Sequence, residues 1–240
     1  GHLANLDSTE VTFIARGEHL AALREHGLTV SHAERQFQVQ PCSATSKPSE
    51  IGAVDAVLVC VKAWQVKDAA RSIRDSGLLG PRTVVVPLQN GLDAARELQD
   101  ECGAGRVFGG LAMIFSYIES PGRIVCPSGG ASLELGGFGG GPSPPTAHEN
   151  IAVLHSCLRE AGVAAELRED MRPALWRKFI FICALSGVGS VTRVTWGEAR
   201  GCPESWALCK QCVHEASAVA AAHGVELGAD FVPGLLRRLR

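Results

Sequence analysis

The chain has 240 residues, 46% hydrophobic and 20% charged, with 23 Lys and Arg against 25 Asp and Glu and a net charge of −2. That content supports one or two cored domains and excludes a disordered tail, a collagen-like fibre and a disulfide-stapled miniprotein. No basic field points to nucleic acid or an anionic membrane as partner, and nine scattered cysteines read as free thiols in a reducing compartment, so a cytoplasmic location is expected.

Read in chain order, short apolar runs alternate with amphipathic stretches. Val11 to Ala15 is a β-branched strand, and Glu18 to His26 has helical spacing that Gly27 stops. Val54 to Val61 is a nearly continuous apolar strand, as expected for a parallel sheet buried on both faces. Val66 to Ser76 reads as helix, broken by Gly77 and Gly80-Pro81. Thr83 to Leu88 is a second buried strand and Leu92 to Asp100 a helix. Val107 to Ser116, Arg123 to Cys126 and Ser132 to Leu135 read as strands, including antiparallel edges.

The Gly- and Pro-rich segment Gly136 to Pro145 is a boundary or exposed turn, and after it Ala147 to Ala161, Met171 to about Leu185 and Pro203 to His223 all read as helix. The fold class is therefore a doubly wound α/β domain over 1–145, followed by an all-helical domain over 146–240. The longest charge-free apolar run, Phe179 to Thr192, has 14 residues, against the roughly 20 of a membrane span. No basic-then-apolar signal peptide opens the chain.

Two motifs are set aside. The glycines Gly137 to Gly141 run into Pro-Ser-Pro-Pro rather than joining a strand to a helix, so they do not form a phosphate cradle. Cys209-Lys-Gln-Cys212 lies inside a helical stretch without a second ligand pair and reads as small apolar residues; no metal site is expected.

The residues that carry chemistry sit at strand ends and on one helix. Ligands bind at the carboxyl ends of strands in open α/β sheets. Lys62 and Gln65 follow the strand that ends at Val61, and position alone leaves Lys62 open between an anion contact and an ordinary surface lysine. Gln89-Asn90-Gly91 ends the next strand, so two polar strand ends in neighbouring units point to one cleft. Arg16 ends the first strand with no carboxylate before Glu18, which favours the 2′-phosphate of NADP if this is the second strand of a dinucleotide fold. Lys178 opens an apolar helical run and shares a face with Ile182 and Ser186. Desolvated there, it would suit proton transfer; otherwise it snorkels to solvent.

Several of these motifs together resemble the ketopantoate reductase (2-dehydropantoate 2-reductase) family. They are Phe13-Ile14-Ala15-Arg16-Gly17-Glu18-His19-Leu20, Val61-Lys62-Ala63-Trp64-Gln65-Val66, Leu88-Gln89-Asn90-Gly91, Ser120-Pro121-Gly122-Arg123-Ile124 and Trp176-Arg177-Lys178-Phe179. The resemblance implies a Rossmann-like NADP-binding domain, a helical substrate and dimerisation domain, and a homodimer. It implies NADPH-dependent reduction of a 2-keto acid, ketopantoate to pantoate, in pantothenate synthesis. Lys178 would be the catalytic general acid. Arg16, Lys62, Gln65 and Asn90 would bind the cofactor, and Asn90 and Ser186 the substrate.

This sequence departs from the family pattern in two ways. Ile182 and Ser186 stand where many members carry Asn, which opens the alternative of another 2-keto acid as substrate. Family members also begin with a strand and a Gly-rich pyrophosphate loop and end with further helix. The chain is therefore expected to be truncated at both ends and to bind NADPH poorly, if at all, with an inactive fragment or pseudoenzyme as the second alternative.

Overall fold

The computed structural model describes residues 1–32, 35–127, 131–139 and 145–240. A 3₁₀ turn at Leu3–Asn5 precedes β1 (Thr12–Ile14), α1 (Gly17–His26), β2 (Leu28–His32), β3 (Gln36–Val39) and β4 (Ser43–Thr45). Then come β5 (Val54–Val59), a 3₁₀ turn at Ala63–Gln65, α2 (Val66–Asp75), β6 (Leu79–Pro87) and α3 (Ala94–Cys102). β7 (Gly109–Met113), β8 (Tyr117–Ser120), β9 (Arg123–Cys126), β10 (Ser132–Gly136), α4 (Pro145–Glu160) and β11 (Ala164–Arg168) follow. The chain ends in α5 (Arg172–Thr192), α6 (Trp196–Gly201), α7 (Pro203–Ala222) and α8 (Phe231–Leu239).

These elements form two compact units: Gly1–Gln89 with Asp93–Glu169, and Asn90–Leu92 with Asp170–Arg240. In the first, β5 and β6 pair in parallel, and a parallel bridge from Val85 to Val107 carries the sheet toward β7. β7 is antiparallel to β10, which is parallel to β11. Val59 and Val85 face Val66, Ala70 and Ile73 of α2 and Leu98 of α3. Val84 and Val86 face Ile151, Leu154 and Leu158 of α4. Helices therefore cover both sheet faces, which is why β5 and β6 read as continuous rather than alternating apolar runs. A further sheet, β3-β2-β9-β8, buries Val30, Val39 and Cys126 with Leu23 of α1, and β1 pairs in parallel with β4. The architecture is the expected Rossmann-like α/β domain followed by a helical one.

Four expectations are corrected. The expected boundary at 145/146 moves to Glu169/Asp170. The physical reason is that α4 supplies one face of the first unit's core, and its buried Asn150 exchanges two 2.8 Å hydrogen bonds with Arg82 of β6. The segment after residue 145 is not all helix, because β11 pairs with β10. Gly80-Pro81 does not end an element: it forms a bulge inside β6, where Thr83 Oγ1 accepts the Gly80 N–H at 2.8 Å and also bonds the Val54 carbonyl. Finally, α5 continues past Leu185 to Thr192, through Gly187 and Gly189. Residues 140–144 of the expected glycine-proline boundary lie outside the described residues.

At 21 residues α5 is, among the described residues, one helix long and apolar enough to cross a membrane. Its residues at a spacing of four, Trp176, Ile180, Ala184 and Val188, are all buried in the core of the second unit with Cys209, Val213 and Leu235. Ile180 is fully buried. Ile180→Ala is expected to cost about 3 kcal/mol, read as a lower urea midpoint at unchanged slope.

Candidate functional site

The carboxyl ends of β5 and β6 lie side by side because the strands are parallel and in register from Ala56–Val84 to Val59–Pro87. The ladder runs one bond further, with Leu88 N–H donating to the Val59 carbonyl at 3.0 Å. Gln89 then replaces the backbone with its side chain. Its Nε2 donates to the carbonyls of both Val59 and Val61, each at 2.8 Å. Carbonyls cannot donate, so the amide orientation is fixed: nitrogen toward the two carbonyls, oxygen away from them. That oxygen is buried and has no hydrogen-bond partner among the described residues.

Lys62 and Gln65 occupy the turn after β5, as the sequence suggests. Gln65 Oε1 accepts the backbone N–H of Lys62 at 3.3 Å, and the Gln65 N–H donates to the Lys62 carbonyl at 2.9 Å. Gln65 therefore shapes this turn at the start of α2, and its NH₂ group remains as a donor for a ligand. Trp64, at the crest of the turn, is 80% exposed. Asn90 is exposed, and the chain passes at this point into the second unit, where Leu92 packs against the core.

Arg16 lies two residues past the end of β1 and has extended backbone at the N-cap of α1. Its guanidinium is exposed, and no side chain caps the helix. The first-turn N–H groups of this ten-residue helix and the Arg16 charge thus occupy one helix end, where anions are favoured. Gly17, at φ +56°, makes the tight entry into α1, a backbone conformation that a side chain would strain.

Lys178 sits on α5 in the second unit. It is half-buried, and that burial pushes its ammonium below the usual lysine range. Lys178, Ile182 and Ser186 are offset by two residues from the Trp176–Val188 core stripe, about 200° around the helix. They form a face of their own on which the lysine lies beside an apolar residue, with Ser186 exposed.

Other singled-out residues have structural roles. Gly122, at φ +77°, turns the β8–β9 hairpin, where its N–H donates to His19 Nδ1 at 3.1 Å and its carbonyl accepts the Thr29 N–H at 2.9 Å. Cys209 is fully buried in the core of the second unit, and burial pushes its thiol up, opposite to a reactive cysteine. Among the described residues there is no group of three or more side chains able to hold a metal. Sequence reasoning placed Gln89 in the strand-end motif Gln89-Asn90-Gly91 but gave it no role of its own. The available signal was a polar residue directly after a buried strand end.

A family model described as ketopantoate reductase PanE/ApbA matches residues 1–140, and the C-terminal model of the same family matches residues 170–240. The chain belongs to the ketopantoate reductase family. It is 27% identical to a 2-dehydropantoate 2-reductase of Mesorhizobium japonicum, over 99% of this chain and 75% of that protein. The crystal structure of a 2-dehydropantoate 2-reductase from Geobacter metallireducens superimposes with a TM-score of 0.87 at 26% identity, covering 99% of this chain and 76% of the other. D-mandelate dehydrogenase, in its ternary structure with NADH and anilino(oxo)acetate, shares the fold at a TM-score of 0.82 and 22% identity, over 99% and 73% of the two chains. Ketopantoate reductases are dinucleotide-dependent oxidoreductases, and the two matched segments follow the two structural units.

Proposed function

We propose that the chain reduces ketopantoate to pantoate with NADPH, as a cytoplasmic step of pantothenate synthesis. The observation that carries this reading is Lys178: a half-buried ammonium, held below the usual lysine range by desolvation, on a helix of a keto acid reductase family. The residues present fit the cofactor. The uncapped α1 N-terminus with Arg16 suits the 2′-phosphate, and the orphaned Gln89 Oε1 suits a ligand N–H or O–H donor. When bound, NADPH supplies the hydride.

The chain's own residues supply the rest. As the keto carbon of the substrate gains the hydride, its oxygen becomes negative. Lys178 stabilises that charge and passes its Nζ proton to the oxygen, giving the 2-hydroxy acid, and then regains a proton from water. Lys62, on the turn after β5, offers a point charge to the cofactor. Asn90, at the β6 exit, offers an amide that can both donate to and accept from cofactor and substrate.

Loss of NADPH absorbance on adding ketopantoate tests this, in the chain alone and in a form extended to the length of its relatives. Turnover is the expected result. Binding of NADPH by a folded protein that turns over no ketopantoate in either form overturns it. A second reading, reduction of another 2-keto acid, is favoured by Ile182 and Ser186: Ile182 gives the Lys178 face no hydrogen bond, so a less hydroxylated substrate would fit it. Under that reading a smaller 2-keto acid gives the higher kcat/KM.

A further inference from the structure

We propose that Gln89 is a positioning residue that locks the exit of β5 to the exit of β6 and so presets the cofactor-side turn carrying Lys62. The role in the reaction rests on the function proposed above, whereas the clamp itself rests on geometry alone. Past Val59 the parallel ladder has no further backbone rung, because the two chains diverge into different turns. Gln89 supplies the missing rungs with its side chain. One amide hydrogen reinforces Val59, whose carbonyl already takes the Leu88 N–H; the other reaches Val61, two residues on. Val61 is directly followed by Lys62, whose backbone closes the Gln65 turn at both its N–H and its carbonyl. The order of bonds is therefore β6, Gln89, Val61, Lys62, Gln65, α2, without a break.

The chemistry fits glutamine and not its neighbours in size. Two carbonyl acceptors require two hydrogens on one atom, which an amide nitrogen has and a carboxylate or aliphatic group lacks. The remaining oxygen, buried and unpaired among the described residues, shows that the amide is not placed there to satisfy itself. Buried acceptors without partners are uncommon and call for a physical reason. Here the reason is that both donors are committed to the clamp, so the acceptor is left for a donor from a bound molecule.

The test compares Gln89→Leu and Gln89→Glu with the unsubstituted chain by amide hydrogen exchange. Leucine removes both donors and the acceptor; glutamate keeps an acceptor and removes the donors. In both variants the Lys62 and Gln65 amides should exchange roughly tenfold faster or more, the change expected when local bonds holding a turn are lost. Exchange at Val84 to Val86 and in α5 should not change. Unchanged exchange at Lys62 and Gln65, or equal loosening of β6, overturns the clamp. With NADPH as probe, both variants should raise the NADPH KM by about tenfold, so that the loss falls on cofactor affinity more than on turnover. A loss confined to kcat would overturn the positioning role. If neither the unsubstituted chain nor its extended form binds NADPH, the proposed function fails, and the exchange result still decides the clamp.

Discussion

Lys178→Ala lowers turnover of the 2-keto acid by about 10²- to 10⁴-fold, the usual worth of a positioned proton donor, while NADPH affinity and the urea midpoint stay as they were. The split follows from where the residue lies. Lys178 is on the α5 face offset from the core stripe, so its removal opens no cavity among Trp176, Ile180, Ala184 and Val188. The pH dependence gives the independent reading. Burial holds the ammonium below the usual lysine range, and a general acid works only while protonated. Turnover should therefore be flat below that lowered pKa and fall as pH rises through it, at a pH below where an ordinary lysine would lose its proton. Lys178→Arg separates charge from proton transfer. Arginine stays protonated throughout and keeps the positive charge, so it should retain part of the oxyanion stabilisation but lose the falling limb. A Lys178→Ala protein with full turnover, or a falling limb that survives in Lys178→Arg, would remove Lys178 from the mechanism.

The parts legible in the sequence are those whose information is local. The β5–α2–β6 unit announces itself because helices pack on both faces of the two strands, which are therefore nearly continuously apolar. Lys62 and Asn90 stand out as polar residues directly after such strands, and Lys178 as one charge at the edge of an apolar helix. Other features depend on partners far along the chain. β3, β4 and β11 are short and polar or charged, and they are strands because β2, β1 and β10 pair with them. Gly80-Pro81 looks like a breaker and is a bulge, because Thr83 ties it back to Val54. Gln89 is the clearest case. Its role depends on the Val61 carbonyl, 28 residues earlier, and no periodicity or composition at residue 89 reports that contact. The boundary was misplaced for a related reason: a glycine-proline segment marks where regular structure stops, whereas a compact unit ends where packing ends, after β11.

Arg16→Ala weakens NADPH binding by roughly tenfold to a hundredfold and leaves NADH binding unchanged, the loss expected for one or two charge-assisted hydrogen bonds to a phosphate at an exposed site. Arg16 follows β1 at the entry to α1, and no side chain caps the helix, so its guanidinium and the first-turn amides offer positive potential at one place. The extra phosphate is the part of NADPH that NADH lacks, so an arginine that reads it must discriminate the two cofactors, whereas a merely structural arginine would affect both alike. Salt sharpens the distinction. The contact is exposed and therefore screened, so raising ionic strength should weaken NADPH binding more steeply in the unsubstituted chain than in Arg16→Ala. Arg16→Asp should go further and reverse the preference, because a carboxylate repels the phosphate and can accept the ribose 2′-hydroxyl of NADH. Glu18, in the first turn of α1, is the nearest carboxylate in sequence and by itself provides no such reversal while Arg16 stands at the strand end. Equal weakening of both cofactors in Arg16→Ala would show that Arg16 holds the entry to α1 rather than the phosphate, and would remove it from the proposed NADPH site.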